Sequence, residues 1–452
     1  MLDDNQHYFF ENITSIHKPL LLLRPDGFGK SYFLHKLEHF FVQKKIPVLA
    51  LHLGERRYET ELDLDCVIQA AFQTWERIFH ITHLSENLSE GERFARCMLA
   101  AEQSTGKKCA ILIDDYDFPL LSENDNSLLH YENALSSLYG ALSTHSDHFQ
   151  FALLLGATRQ EKLLKFAKPR DISFDSDFSG ATGFFETDVK KLLEKKEHTD
   201  LSLPQLTHWY GGYHFGGNES VFCAKSIISA LENDSVGIYF PAKLFVERAV
   251  EKVILSHFDF SVLLQRFGIE ATDEVFFDFD LKKSAPLSFL FQFGFLTKQI
   301  FDKQFGTNRL CFPNRETRAA FFAETARRLT SLPASESRMW AIDAIRFLEN
   351  DDLRTFFASA NTALRAVTPK SLKSALTTLF GLISIYTDCI FEDGFFIIET
   401  PSFLHIIAFD LVSMQNAFER LYHRTFQAGK KLVRKTGVLL SADSGIISWR
   451  TL

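Results

Sequence analysis

The feature that most constrains the fold is an apolar run that ends in a glycine-containing turn and leads directly into a helical pattern. Leu20–Leu23 are four consecutive leucines, which is typical of a strand buried on both faces. The turn after them closes with Gly29-Lys30-Ser31, and Tyr32–Lys45 then shows helical spacing of apolar residues. A strand, a glycine turn and a helix in this order are the layout of a loop that binds phosphate.

Each residue type in this turn suits an anion site. Gly27 and Gly29 allow the backbone N–H groups to turn toward a phosphate. Lys30 can reach the β- and γ-phosphates, and the Ser31 hydroxyl can bind Mg²⁺. Arg24 stands where the usual G-x-x-x-x-G-K-[ST] pattern has its first glycine, so the match is partial. An ordinary strand-to-helix turn with a surface lysine is the alternative.

Three further apolar segments predict strands that alternate with helices. They are Ile46–Leu53, the run that begins at Lys108, and Phe151–Leu155, and a helical region from about residue 62 to 102 separates the first two. Buried parallel strands separated by helices form an α/β sheet, and ligands gather at the carboxyl ends of its strands. We therefore expect the glycine turn and the residues that follow the other strands to lie at one edge.

Polar residues follow two of these strands. A magnesium-dependent ATPase needs one carboxylate to hold the ion and another to orient the attacking water. We assign Asp114 to the metal together with Ser31, and Asp115 to the water. Thr158 could sense the γ-phosphate, and Arg159 could offset charge in the transition state. The alternatives are acids that solvate a turn and an arginine in a structural ion pair.

Composition excludes several classes of protein. The chain has 452 residues, which predicts two to four domains, and its net charge of −8 gives no overall attraction to nucleic acid or an anionic membrane. The N-terminus lacks the features of a signal peptide, and no uncharged apolar run reaches the ~18 residues of a membrane span. The six cysteines form no C-x-x-C pair, which disfavours zinc. We expect a soluble, cytoplasmic protein without membrane contact.

Five segments carry a resemblance to a known family. They are Arg24–Ser31, Leu112–Pro119, Gly156–Arg159, Gly183-Phe184 with Val189, and Trp209–Phe215. In this order, they resemble the AAA-ATPase-like proteins of bacteria and archaea, over nearly the whole chain. The resemblance implies ATP and Mg²⁺ as cofactors and a C-terminal domain of the PD-(D/E)XK nuclease superfamily. An arginine at position 24 is usual in that family.

The family usually has Asp-Glu where this chain has Asp114-Asp115, which implies weak hydrolysis with nucleotide binding retained. The loop and the resemblance together predict the following nucleotide contacts: Gly27, Phe28, Gly29, Lys30, Ser31, Tyr32 and Thr158.

The C-terminal domain departs from the nuclease pattern. A PD-(D/E)XK site needs an acid on one strand and an acid-x-lysine on the next, because two acids hold Mg²⁺ and the lysine positions water. The resemblance places Phe395, Ala408 and Asp410 at these three positions. We expect a nuclease-like fold without nuclease chemistry, used to bind a protein or nucleic-acid partner. A displaced site of Asp393, Glu399 and Asp410 is the alternative, and it lacks the lysine.

Two smaller features leave alternatives open. The aromatic segment Trp209–Gly217 could stack an adenine, but a structural hairpin is favoured. His35 and His39 lie four residues apart on the predicted helix, a spacing that can hold a metal. No third ligand lies nearby in sequence, so we expect packing or solvent exposure.

These observations predict an α/β chain in four parts. Residues 1–180 form a P-loop AAA-ATPase-like core, 181–240 a helical lid, 241–340 a helical, winged-helix-like connector with a hairpin, and 341–452 a small α/β restriction-endonuclease-like domain. The leading function is a nucleotide-controlled switch with weak ATP hydrolysis. The alternatives are an ATP-regulated nuclease acting on DNA or RNA, and a nucleotide-independent scaffold or secreted effector.

Overall fold

The computed structural model describes most of the chain. It covers residues 4–16, 18–54, 57–81, 88–121, 125–196, 198–240, 243–277, 279–281, 283–302, 307–333, 335–365, 367–368, 371–392, 394–408, 432–440 and 447–451. Within these ranges, no helix has both the length and the apolar character needed to cross a membrane.

The helices and strands have the following bounds. The helices are α1 Asp4–Thr14, α2 Lys30–Gln43, α3 Glu61–Ile78, α4 Glu90–Thr105, α5 Asp125–Thr144, α6 Glu161–Ala167, α7 Glu186–Lys195, α8 Leu203–Tyr210, α9 Ala224–Asn233, α10 Lys243–Leu255, α11 Glu274–Phe277, α12 Pro286–Gln292, α13 Arg315–Leu329, α14 Ser337–Glu349, α15 Leu353–Ala363 and α16 Leu372–Ile383. The strands are β1 Leu20–Leu23, β2 Val48–His52, β3 Cys109–Asp114, β4 Phe149–Gly156, β5 Arg170–Asp171, β6 Ile269–Ala271, β7 Thr297–Asp302, β8 Thr307–Cys311, β9 Asp388–Glu392, β10 Phe395–Glu399, β11 Phe403–Ala408, β12 Leu432–Leu440 and β13 Ile447–Thr451.

The chain divides into two compact units. The first unit comprises Met1–Thr207, Gly211–Ser235 and Asp273–Gly294. The second comprises His208–Tyr210, Val236–Thr272 and Phe295–Leu452. The predicted division into four parts stays a prediction.

The first unit contains a parallel sheet with the strand order β2-β3-β4-β1-β5. The strand before the glycine turn, β1, lies between β4 and β5, and the acid-bearing strand β3 lies between β2 and β4. The α/β class with a parallel sheet is therefore confirmed. Because the strands are parallel, the turn after β1 and the acids after β3 lie at the same edge.

Both faces of this sheet are covered, which explains the unbroken apolar runs. Leu21, Ile113 and Leu154 pack on one face with residues of α3, α4 and α5. Leu20, Leu112 and Leu153 pack on the other face with residues of α1 and α2. Alternate residues of each strand thus enter different cores, and this double burial fixes the register of the strands.

The second unit contains two smaller sheets. One has the order β6-β8-β7, with both pairs antiparallel. The other has the order β13-β12-β11-β10-β9, in which β11 and β12 are parallel and the other pairs are antiparallel.

The side chain of Glu316 is fully buried and accepts hydrogen bonds from the N–H groups of Tyr239 and Phe240, at 2.7 and 2.9 Å.

The strands β10 and β11 carry two of the predicted nuclease positions. Phe395 and Ala408 are direct partners in the antiparallel register, and both are buried. Apolar side chains therefore occupy both positions that the resemblance assigns to catalytic acids. Asp393 and Asp410 lie outside the described residues. The nuclease-like fold of this domain stays a prediction.

Candidate functional site

The turn between β1 and α2 has the backbone that a phosphate loop requires. Gly27 and Gly29 both have φ of 82°, in the left-handed region that strongly favours glycine. Gly29 is the N-terminal cap of α2, and its carbonyl accepts the first helical hydrogen bond, from Phe33 at 3.0 Å. The N–H groups in the first turn of a helix have no intrahelical acceptor, so they are available to an anion.

Arg24 at the first-glycine position is a structural support. Its side chain is fully buried and donates hydrogen bonds to the carbonyl oxygens of Leu23 and Ser173, both at 2.8 Å, and of Phe178 at 3.0 Å. The guanidinium carbon also lies 4.0 Å from the centre of the Phe215 ring. Burial lowers the pKa of Arg24 to about 9. Arg24, which replaces the first glycine of the usual pattern, therefore links the loop to the segment after β5.

Phe28 and the aromatic segment pack together beneath the loop. Phe28 is fully buried, and its ring meets those of Tyr213 and Phe215 edge to face, at centroid distances of 4.8 and 5.3 Å. Tyr213 also pairs with Val221 as an antiparallel bridge. The two rings are thus buried supports of the loop, as the hairpin interpretation expects. Phe28 itself could offer a nucleotide only its backbone.

Two later segments contact the loop through its carbonyl oxygens. The N–H of Gly183 donates to Phe28 O at 2.8 Å, and the N–H of Lys225 at the start of α9 donates to Gly27 O at 2.9 Å. Gly183 has φ of 82°, and a Cβ there would lie 2.5 Å from Val221 Cγ1. Gly183 is therefore needed for close packing against the loop.

Lys30 lies among acids. Its side chain is only 6% exposed, and its Nζ lies 3.4 Å from Pro25 O and 3.7 Å from Asp115 Oδ1. Burial alone would lower the pKa of the Lys30 ammonium, but four carboxylates outweigh burial and raise this pKa: Asp115, Asp26, Asp117 and Asp114. The amine is therefore charged and directed at the edge of the sheet where a phosphate would bind.

Asp114 and Ser31 fit a magnesium ion. Burial would raise the pKa of Asp114, but hydrogen bonds from His52 and Ser31 and the charge of Lys30 hold it below its usual value. Asp114 Oδ1 is buried and has no hydrogen-bond partner among the residues that the structure describes. A free carboxylate oxygen near a hydroxyl matches the oxygen ligands that Mg²⁺ prefers.

Asp115 has a left-handed backbone, with φ of 50°. Aspartate tolerates this region better than most residues, which gives a physical reason for a short acid here. Its carboxylate lies so close to Gly54 that a Cβ on Gly54 would be 2.0 Å from Oδ2. Burial, with smaller contributions from the neighbouring carboxylates, raises the pKa of Asp115 to about 6 despite the opposing charge of Lys30.

Thr158 is buried, and its hydroxyl donates a hydrogen bond to Asp117. The Thr158 N–H and hydroxyl both donate to Asp117 Oδ2, at 2.6 and 2.5 Å, and Gln160 Nε2 donates to the same hydroxyl at 3.0 Å. Asp117 thus joins the ends of β3 and β4. Sequence reasoning assigned no role to Asp117, although it belongs to the Leu112–Pro119 segment. The γ-phosphate role of Thr158 stays a prediction.

Arg159 takes part in ion pairs. Its Nε donates to Glu161 Oε1 at 2.5 Å, and its Nη1 contacts Asp171 on β5. Its N–H donates to Gln292 Oε1 at 2.7 Å. This is the structural ion pair that the sequence left open as the alternative, and the transition-state role stays a prediction.

Tyr32 follows Ser31 in the first turn of α2 and is 65% exposed, so its ring is accessible to a nucleotide. One turn along the helix, the His35 ring lies 5.4 Å from that of His52 at the end of β2. His39 instead contacts Gln43.

Across the described ranges, no cluster of three or more His, Cys, Asp or Glu residues could hold a metal. Sequence reasoning missed His52, whose signal was its place at the end of a strand.

Parts of the chain are similar to known proteins. Residues 42–163 match the family model for AAA-ATPase-like proteins, described as predicted AAA-ATPase. An uncharacterized protein in the vnfD 5′ region of Azotobacter chroococcum mcd 1 is 26% identical over 396 residues, which are 79% of this chain and 71% of that protein. The crystal structure of Cdc6p from Pyrobaculum aerophilum covers 73% of this chain and 95% of its own, with 14% identity and a TM-score of 0.31.

A TM-score this low carries no argument, so the fold assignment depends on the strand order and the family match. That match ends before the C-terminal domain and does not bear on it. The family match and a glycine loop at the carboxyl edge of a parallel sheet support the AAA-ATPase-like part of the resemblance, and with it a nucleotide-binding, ATPase-like protein.

Proposed function

We propose that this protein is an ATP-binding switch, in which Mg²⁺-ATP controls how the C-terminal domain meets a protein or nucleic-acid partner. The observation that carries the proposal is the charged Lys30 at the start of α2, with the carboxylate of Asp114, which interacts with Ser31 and has a free Oδ1. A cation, a helix N-terminus and two oxygen ligands together suit a polyphosphate with its metal.

Nucleotide binding requires Lys30 to exchange partners. Its ammonium now lies near Pro25 O and Asp115, and a phosphate would replace these weak contacts with charge-assisted hydrogen bonds. The N–H groups of the first turn of α2 would hold the same phosphates. When bound between Ser31 and Asp114, Mg²⁺ would neutralise part of the phosphate charge.

Hydrolysis is expected to be slow. Asp115 can accept a proton from water because burial raises its pKa to about 6. Its side chain is short, however, and lies against Gly54 and Lys30, so it orients water less freely than a glutamate would. We propose that turnover serves to reset the switch.

The C-terminal domain is proposed to bind a partner without cutting nucleic acid. Phe395 and Ala408 are buried and paired, so neither position can offer a carboxylate to a metal. Glu399, at the end of β10, is exposed, and its register partners are Leu404 and Asp388. These features favour binding over the nuclease alternative.

The first prediction concerns binding. Lys30→Ala should weaken Mg²⁺-ATP affinity at least tenfold, or about 1.4 kcal/mol, because a charge-assisted phosphate contact is lost. Calorimetry with a non-hydrolysable analogue measures the effect. Lys44→Ala is the matched control, since Lys44 lies at the far end of α2 and pairs with Glu11. Equal affinity in the Lys30→Ala and Lys44→Ala proteins would place the nucleotide elsewhere.

The second prediction concerns turnover. Asp115→Asn should lower the steady-state ATPase rate at least ~10-fold, because general-base catalysis contributes about 10² or more. Nucleotide affinity should not fall, since the change removes a negative charge beside Lys30. The rate and the affinity are measured on the same preparation. A parental rate in the Asp115→Asn protein would exclude Asp115 from water activation.

The third prediction concerns the C-terminal domain. Single- and double-stranded DNA and RNA should survive incubation with the protein, ATP and Mg²⁺ or Mn²⁺ as they do in a protein-free control, because the apolar residues at 395 and 408 cannot hold the metal that cleavage needs. Gel electrophoresis of labelled substrates measures this. Metal-dependent cleavage that disappears in the Asp410→Ala protein would favour the nuclease alternative.

A further inference from the structure

His52 lies beside the carboxylate assigned to the metal. It is the last residue of β2, and its register partner on β3 is Asp114. The His52 Nδ1 atom lies 3.8 Å from Asp114 Oδ2, and its side chain is 26% exposed. The ring therefore reaches the carboxyl edge of the sheet, where the nucleotide would bind.

The two oxygens of Asp114 have different surroundings. Oδ2 faces the ring of His52, whereas Oδ1 is buried and has no hydrogen-bond partner in the described part of the chain. Ser31, at the start of α2, also interacts with this carboxylate. A carboxylate held by one oxygen presents the other to a metal ion in a fixed direction.

The His52 ring also contacts a histidine of α2. The His35 ring lies 5.4 Å from it with an interplanar angle of 35°, and Glu38 Oε2 lies 3.6 Å from His35 Nδ1. His35 is four residues after Ser31, one helical turn along the same face. A line of polar groups thus runs from Glu38 through both rings to Asp114.

Simple packing does not account for this arrangement. A histidine that only fills space has no need to direct a ring nitrogen at a buried carboxylate. Polar groups next to metal-binding carboxylates commonly fix their orientation, and loss of one such partner typically costs ~10- to 100-fold in metal affinity.

We infer that His52 is a positioning residue for the metal of the bound nucleotide, which holds Asp114 so that Oδ1 faces the ion. The inference depends on the proposed nucleotide site and adds a residue that controls its use of the metal. His52 acts through Asp114 and makes no contact with the phosphates.

The test separates metal binding from phosphate binding. A fluorescent ATP analogue is titrated at increasing Mg²⁺ and again in EDTA, for the parent, His52→Ala, His52→Asn and His39→Ala proteins. His52→Ala should raise the half-saturating Mg²⁺ concentration at least ~10-fold, with affinity in EDTA unchanged within about twofold. His52→Asn should recover much of the loss, because its amide can donate to Asp114. The exposed His39 on α2 is the matched control and should have no effect.

The outcomes are distinguishable. A parental Mg²⁺ dependence in the His52→Ala protein overturns the inference and leaves the nucleotide site intact. An equal loss of affinity with and without Mg²⁺ also overturns it, since His52 would then support the loop as a whole. If His52→Ala does not fold, as judged by its thermal unfolding, the Mg²⁺ dependence of His52→Leu, which keeps a side chain of similar size without a donor, relative to His39→Ala decides. If the parent binds no nucleotide under either condition, the proposed function fails and the inference fails with it.

Discussion

The charge of Lys30 is the constraint on which the site depends. A buried ammonium is stable only if nearby negative groups offset the lost hydration, and here Asp115 is the largest of four such contributions. One cation among several carboxylates leaves little net attraction for a polyphosphate. A divalent cation would supply the missing positive charge, and Asp114 has a free oxygen for it. At the proposed site, the same acids that keep Lys30 charged would therefore make Mg²⁺ strengthen nucleotide binding.

Contacts with later segments of the chain hold the loop that carries Lys30. Arg24 donates hydrogen bonds to backbone carbonyl oxygens, and the ring of Phe28 packs against those of Tyr213 and Phe215. A guanidinium in such a place is costly to bury, so it must be matched with acceptors. These contacts join residues far apart in the chain.

The part of the fold that depends on local sequence could be predicted. The unbroken leucines of Leu20–Leu23 indicated a doubly buried strand, and the alternation of strands and helices indicated a parallel sheet with Asp114 and the loop at one edge. The sequence did not predict which side chains pair between strands that are neighbours in the sheet but far apart in the chain. Thr158 is engaged by Asp117, and Arg159 pairs with Asp171 on β5. Neither pairing follows from spacing, because both require the strand order. His52 was missed for the same reason, since only the register of β2 with β3 places it beside Asp114.

The central claim is that the loop with Arg24 at its first-glycine position binds Mg²⁺-nucleotide through Lys30, Ser31 and Asp114. A crystal structure with a non-hydrolysable ATP analogue and Mg²⁺ tests it most directly. We expect phosphate oxygens at the N-terminus of α2, Lys30 Nζ moved from Pro25 O to a phosphate, and a metal ion between Ser31 and Asp114. An analogue bound elsewhere, with Lys30 still beside Pro25 O and Asp115, would rule out this nucleotide site.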